Sequence, residues 1–224
     1  MQKVKLIVIE GPDGSGKTEQ WKLLAQRLKK EDHRVELVDF PQYSKVSAGL
    51  ISNYLRGIYG KPDDVSPYAA SLFYALDRYD LSFKMRDWLE EGKIILANRY
   101  VASNGGHQGG KIHNARGRKE FLKWLYQTEF EILGIPKPDI NVFLDLPIEV
   151  SLKLIKKRGL AQDGHENIQH LKNAHASYRT MIKEFPKEFL VINCVRGGKL
   201  RPPEDIYEEI WTKVKEKLGL SAKK

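Results

Sequence analysis

The densest chemistry in this 224-residue chain is the run Gly11-Pro12-Asp13-Gly14-Ser15-Gly16-Lys17-Thr18. Its glycines permit a turn whose successive backbone N–H groups converge on one point, an arrangement that binds anions. In the spacing GxxxxGK[ST], Lys17 reaches the phosphate being transferred and the Thr18 hydroxyl holds Mg²⁺. All eight residues, Gly11 through Thr18, are therefore expected to bind a nucleoside triphosphate. Such a loop works only between a strand and a helix, and the flanking residues supply both. Val4-Lys5-Leu6-Ile7-Val8-Ile9 reads as a buried parallel strand. From Glu19 to Lys30, Trp21, Leu24, Ala25 and Leu28 recur at helical spacing, so the positive end of a helix macrodipole faces the phosphates. A ligand-free glycine turn is the plain alternative, and the full motif in this setting argues against it.

Further strands are expected at about 35–39, 93–97, 140–145 and 189–193, which with 4–9 makes five. Helices are expected at about 17–31, 46–56, 67–91, 117–133, 148–158, 165–184 and 204–218. Ser66-Pro67 is a start signal, a capping hydroxyl before proline at the first helical position. Strands alternating with helices imply βαβ units and a parallel sheet with ligands at the strands' carboxyl ends. The expected fold class is α/β, a three-layer P-loop NTPase fold in one domain over residues 1–224, with a short lid at about 156–170. The glycine-rich stretches Gly105–Gly117 and Gly159–Gly164 read as loops that move.

Bulk composition narrows the class. A net charge of +9, from 38 Lys and Arg against 29 Asp and Glu, suits anionic partners without choosing among them. Basic residues are dispersed, and no aromatic-and-basic stripe marks a nucleic-acid surface, so nucleic acid is not expected as a partner. No run approaches the ~18 apolar residues that span a bilayer, and the N-terminus lacks a signal-peptide pattern. The single cysteine, Cys194, lies in an apolar run and fits a reducing compartment; a cytoplasmic protein without membrane partners is expected.

Downstream residues describe a small acceptor site. No NKxD tetrapeptide is present to read guanine. Tyr74 and Arg78 are four apart on one helix face, where an aromatic ring can stack on a nucleobase and a guanidinium can reach a base carbonyl. A core tyrosine beside a surface arginine is the other reading. Strand 93–97 delivers Asn98-Arg99-Tyr100 to the sheet edge, where Arg99 suits a second phosphate. Ser103, Asn104 and Gln108 follow in what reads as a loop, with hydroxyls and amides suited to pyrimidine edges.

Taken in order, these motifs resemble the thymidylate kinases over residues 4 to 218. Gly11–Thr18 is similar to that family's G-x-D-G-x-G-K-[ST] loop, Phe40-Pro41 to its acceptor-site Phe-Pro element, and Tyr74 to Arg78 to its Phe-x-x-x-Arg helix. Asn98-Arg99-Tyr100 with Ser103 and Gln108 is similar to its D-R-[YH]-x-x-S-x-x-x-Y-Q segment, and Pro138 to Val150 to its P-D-x-x-x-x-L-D-x-P-x-E element. The resemblance implies transfer of the γ-phosphoryl of MgATP to dTMP, with Asp13 at the acceptor sugar, Tyr74 stacking and Arg78 at the thymine carbonyl. Phe73 stacks instead if the register slips by one. The implied acceptor set is Asp13, Phe40, Tyr74, Arg78, Arg99, Ser103, Asn104 and Gln108; the implied catalytic set is Lys17, Arg99 and Arg158. A homodimer is implied as well. Another deoxynucleotide or a deoxynucleoside is the alternative acceptor, and a nucleoside would need Glu10 or Asp39 as base.

Three departures stand out. The family usually has Asp where this chain has Asn98. It often carries an arginine after Phe-Pro, where this chain reads Gln42-Tyr43-Ser44, leaving Arg99, Lys45 or Arg56 to grip the acceptor phosphate. Members with glycine at the position of Gly14 draw an arginine from the lid, yet none lies between Gly159 and Tyr178. Lys156, Lys157 and Arg158 at the lid base, or Arg116 and Arg118, are the available cations. Glu166 matches a lid glutamate or caps a helix; Asp145 is a metal aspartate or a capping residue. His107 and His113 read as polar loop residues.

Overall fold

The computed structural model describes residues 5–157 and 168–219. Strands β1 (Leu6–Glu10), β2 (Val35–Asp39), β3 (Ile94–Asn98), β4 (Ile140–Asp145) and β5 (Phe189–Asn193) form one sheet in the order β2-β3-β1-β4-β5. Every neighbouring pair is parallel. The helices are α1 (Lys17–Lys30), α2 (Gly49–Leu55), α3 (Pro67–Glu90), α4 (Val101–His107), α5 (Ala115–Tyr126), α6 (Ile148–Lys157), α7 (Ile168–Glu184) and α8 (Pro203–Leu218).

The central strand explains the layering. Ile7 and Ile9 point to one face and pack with Leu24 and Leu28 of α1 and Trp211 and Val214 of α8. Leu6 and Val8 point to the other and pack with Met85 of α3, Phe121 of α5 and Tyr178 of α7. A strand with period-two side chains and no polar face must be covered on both sides, which yields helix, sheet, helix. Parallel pairing also aligns the carboxyl ends, so Glu10, Asp39 and Asn98 finish along one edge, with Asp39 beside Asn98 in register. Ser66 caps α3 as expected, its hydroxyl accepting from the Ala69 N–H at 3.1 Å.

Two expectations are corrected. The segment after β3 is not a glycine loop but helix α4 followed by a 3₁₀ turn, Gly109–Lys111. Its glycines serve close approach to α7: a Cβ on Gly106 would lie 2.3 Å from the Tyr178 ring, and one on Gly110 would lie 2.8 Å from the backbone N of Ala174. Backbones this near admit only hydrogen at the contact, and that requirement overrides the low helix propensity of glycine. The helix expected at 117–133 starts at Ala115 and stops being α at Tyr126; Gln127–Ile132 is a π-helix. Of the lid expected at about 156–170, residues 158–167, with Arg158 and Glu166, lie outside the described residues.

Candidate active site

Between β1 and α1 the loop follows the conformation its glycines allow. Gly11, Gly14 and Gly16 have φ of +149°, +78° and +85°, where a side chain would be strained. A Cβ on Gly11 would also fall 2.9 Å from the Leu144 carbonyl. Gly14 packs under α6, and the Ser151 hydroxyl donates to the Asp13 carbonyl. Lys17 is buried and folded onto the loop, donating to the carbonyls of Gly11 (2.9 Å) and Pro12 (2.8 Å). Burial, reinforced by the nearby Arg99 guanidinium, pulls its pKa down to about 8. Asp13, Gly14, Gly16, Lys17 and Thr18 line an open cavity of about 610 Å³, into which Lys22 also reaches.

A second cavity, of about 440 Å³, adjoins the first, and Asp13 and Arg99 line both. Arg99 follows β3 with φ +63°, an uncommon value for a residue with a Cβ. Its guanidinium donates to Asp13 Oδ1 and to the Ser103 hydroxyl at 3.4 Å. Burial alone would raise the Asp13 pKa, but Arg99 and Lys17 outweigh it and hold the carboxylate ionised. The turn is held from beneath by Glu10, which is fully buried. Its carboxylate accepts from the Tyr100 N–H (2.7 Å), the Ser103 N–H (3.0 Å) and the Ser103 hydroxyl (2.8 Å).

All eight residues expected at the acceptor, Asp13, Phe40, Tyr74, Arg78, Arg99, Ser103, Asn104 and Gln108, line this second cavity. Tyr74 faces it, whereas Phe73 packs with Tyr54 and Tyr59 at ring separations of 6.2 and 5.6 Å. Arg78 is not the surface arginine of the alternative reading. It lies buried, with Nε and Nη2 each 2.6 Å from a different oxygen of Glu129. Asn104 donates to that same carboxylate at 3.2 Å and to the Ser71 carbonyl at 3.1 Å. Buried Asp77 anchors the loop after Phe40-Pro41, accepting from the Gln42 N–H (2.8 Å) and the Ser47 hydroxyl (2.6 Å). His107 is a correction: it belongs to α4, lines the cavity, and stacks on His170 with ring centroids 5.4 Å apart. Burial pushes its pKa down to about 3, so the ring is neutral at physiological pH.

Near Thr18 the edge is rich in oxygen. Asn98 Nδ2 donates to Asp39 Oδ1 at 2.9 Å and lies 3.5 Å from the Thr18 hydroxyl, while Asn98 Oδ1 is buried without a protein partner among the described residues. Hydroxyl, carboxylate and amide oxygen form a hard-ligand set of the kind that suits Mg²⁺ with retained waters.

Other candidates disperse. Arg56 lines the acceptor cavity, but Lys45 belongs to a separate groove beside Lys84 and Trp88. Arg116 is on the surface, paired to Glu120 at 2.9 Å, and Arg118 caps the carbonyls of Gly109 and Ile112, so neither reaches the two cavities. Asp145 pairs with Arg179 at 3.3 Å and lines neither cavity. Sequence reasoning missed Glu129, which sits among polar residues of a helical pattern 51 positions from Arg78. It also missed Tyr54, which lines the cavity from a segment without a motif, and Asp77, which fills a variable position inside the Tyr74 to Arg78 motif.

Comparison with known proteins adds an independent finding. A family profile described as thymidylate kinase matches residues 9–199. The chain is 33% identical over 216 residues to a probable thymidylate kinase of Pyrococcus horikoshii, covering 96% of this chain and 98% of that protein. It is 30% identical to a thymidylate kinase of Mycobacterium tuberculosis, covering 78% and 81% of the two chains. Against the thymidylate kinase of Homo sapiens the identity is 28%, over 86% of this chain and 83% of that one.

Proposed function

The chain belongs to the thymidylate kinase family, and from that premise we propose that it moves the γ-phosphoryl of ATP to the phosphate of dTMP, giving dTDP and ADP. The observation that carries this reading is the pair of adjoining cavities, one lined by the P-loop and one by aromatic and amide groups, with Asp13 and Arg99 shared at their junction. ATP phosphates sit on the P-loop, and dTMP places its base between Tyr74 and Phe40 with its phosphate toward Arg99. An acceptor phosphate oxygen then forms a bond to the γ-phosphorus as the bond to the ADP oxygen breaks.

The acceptor is already an anion, so proton abstraction is not required. The protein's work is alignment and charge neutralisation. Lys17 leaves the Gly11 and Pro12 carbonyls for the transferring group, and Arg99 draws the acceptor phosphate to the junction. Arg158, from the lid, is proposed as the further cation. Thr18, Asp39 and Asn98 would hold Mg²⁺; the orphaned Asn98 oxygen and the all-oxygen set support that fit. When bound, Mg²⁺ would supply charge neutralisation to the transferring phosphate.

A nucleoside acceptor is disfavoured by geometry. Glu10 is enclosed and its oxygens are engaged, and Asp39 does not line the acceptor cavity. We infer one domain, because helices cover both faces of a single five-stranded sheet, and a homodimer, because α3 leaves Tyr68, Leu72, Leu76 and Phe83 exposed along one stripe. No described helix is long and apolar enough to cross a membrane; a cytoplasmic role in dTTP supply is the accompanying proposal. ADP release is the test, with MgATP against dTMP, dUMP, dCMP, dGMP and thymidine. Turnover led by dTMP is expected, and turnover led by thymidine or by none of them rejects the assignment.

A further inference from the structure

We propose that Lys111 is a positioning residue for the acceptor, latching the end of α2 and the segment after it into one wall of the acceptor cavity. The proposal rests on the thymidylate reading above and extends it to a side chain that lines neither cavity. Lys111 closes the 3₁₀ turn after α4, and its backbone is held from two sides. Gly110 lies against the backbone of α7 at Ala174, and Arg118 caps the carbonyls of Gly109 and Ile112. From that fixed base the side chain crosses to a different part of the fold. An ammonium carries three donors, and each has an acceptor here. One goes to the Tyr54 hydroxyl at 2.6 Å, one to the Pro62 carbonyl and one to the Val65 carbonyl at 3.4 Å.

What the latch holds belongs to the acceptor site. Tyr54 is buried at the end of α2 and lines the acceptor cavity with its neighbours Leu55 and Arg56. Its oxygen also takes a hydrogen bond from the Gln108 side chain, and its ring packs on Phe73 at 6.2 Å. Between α2 and α3 the chain runs as turns. These close locally, the Lys61 N–H donating to the Asp64 carboxylate at 2.7 Å, and local bonds do not fix where a segment sits. Lys111 does so, from 46 and 57 positions away. The arrangement carries a cost that plain packing would avoid. Among the described residues no carboxylate forms an ion pair with Lys111. Burial pulls its pKa below the ordinary lysine value, against the weaker opposing pull of Asp63. An apolar side chain would escape that desolvation, but it could not direct three bonds from one rigid base. Lys111 therefore acts on the acceptor only through Tyr54 and the segment it fastens.

Lys111→Met tests this in the full chain, because it keeps the stem and removes the ammonium. With MgATP, kcat and KM for dTMP and KM for ATP are measured beside a thermal melt. The same is done for Tyr54→Phe and for the two substitutions combined. We expect KM for dTMP to rise about tenfold in Lys111→Met, the scale of losing a hydrogen bond to a charged group. Both kcat and KM for ATP hold, because acceptor binding must now order the wall, and that costs affinity alone. The combined variant loses less than the product of the two single losses, since both remove one contact. Should Lys111→Met not fold, Lys111→Gln keeps a donor without the charge and is read the same way. A folded variant with KM for dTMP intact overturns the proposal. So do equal losses on kcat and on KM for ATP, which mark a purely structural role, and single losses that multiply in the combined variant. The wild-type arm is separate: a wild-type chain that does not phosphorylate dTMP overturns the functional reading itself.

Discussion

Lys17 is the residue whose state most depends on what it faces. Alone it satisfies its ammonium on two loop carbonyls and has a pKa of about 8, well below the ordinary lysine value. A triphosphate alongside favours the charged form and raises that value. Between pH 8 and the ordinary lysine range, the free lysine is neutral and the bound one protonated. ATP binding therefore takes up a proton in that window, and affinity falls as pH rises through it but levels off below. Calorimetry at pH 7 and 9, in buffers of differing ionisation enthalpy, reads this directly, and proton release at pH 9 contradicts it. Lys17→Ala is expected to lower kcat by roughly 10²–10³-fold, the scale of losing one preorganised electrostatic contact, with the thermal midpoint retained. Asp39 makes a second residue-scale case. Asp39→Asn should weaken metal binding to the ATP complex by about tenfold, as loss of a group supporting a metal site does, and leave metal-free ATP binding unchanged. A Mn²⁺ titration followed by electron paramagnetic resonance measures both.

Elements matter here through how closely they approach. The α4 segment touches α7 over Gly105, Gly106, Gly109 and Gly110, all of which are buried. That contact holds Ser103, Asn104, His107 and Gln108 on the acceptor cavity. At Gly110 the obstacle is the backbone of Ala174, which cannot rotate aside as a side chain would. Gly110→Ala should therefore cost about 1–3 kcal/mol of stability, the usual scale of overpacking. The midpoint falls by a few degrees per kcal/mol in a chain of this size, and KM for dTMP rises as the amides shift. Calorimetric melts with acceptor kinetics check the pair, and an unchanged midpoint would mean α7 moves freely. His107 shows the same dependence. Its neutral ring, with a pKa near 3, comes from burial between α4 and α7, not from its sequence neighbours.

For the whole molecule, the consequence concerns association. Helix α3 turns Arg78, Asp77 and Met85 inward while Tyr68, Leu72, Leu76 and Phe83 remain exposed. Apolar stripes of this extent favour a partner surface, and the same helix carries Tyr74 and Arg78 of the acceptor site. The chain is expected to run as a dimer in light scattering. Leu72→Glu with Leu76→Glu is expected to run as a monomer; a monomeric wild-type chain would mean that the stripe has another role.

The P-loop, the parallel α/β order and the family were legible in the residues because each depends on local spacing. Glycines at fixed offsets permit one loop, and apolar runs between helical patterns permit few topologies. Tyr74, Arg78, Arg99, Ser103, Asn104 and Gln108 could be named for the same reason, since motif spacing survives along a chain. Their partners could not. Glu129 reaches Arg78 across 51 residues, and Asp39 meets Asn98 only because two strands end in register. The glycines after β3 read as a loop until α7 was seen to require them in a helix. Sequence by itself determined which groups this protein carries and the loop that binds phosphate. Tertiary structure alone decided which of those groups are paired, buried and aimed, because desolvation and long-range contact exist only once the chain is packed.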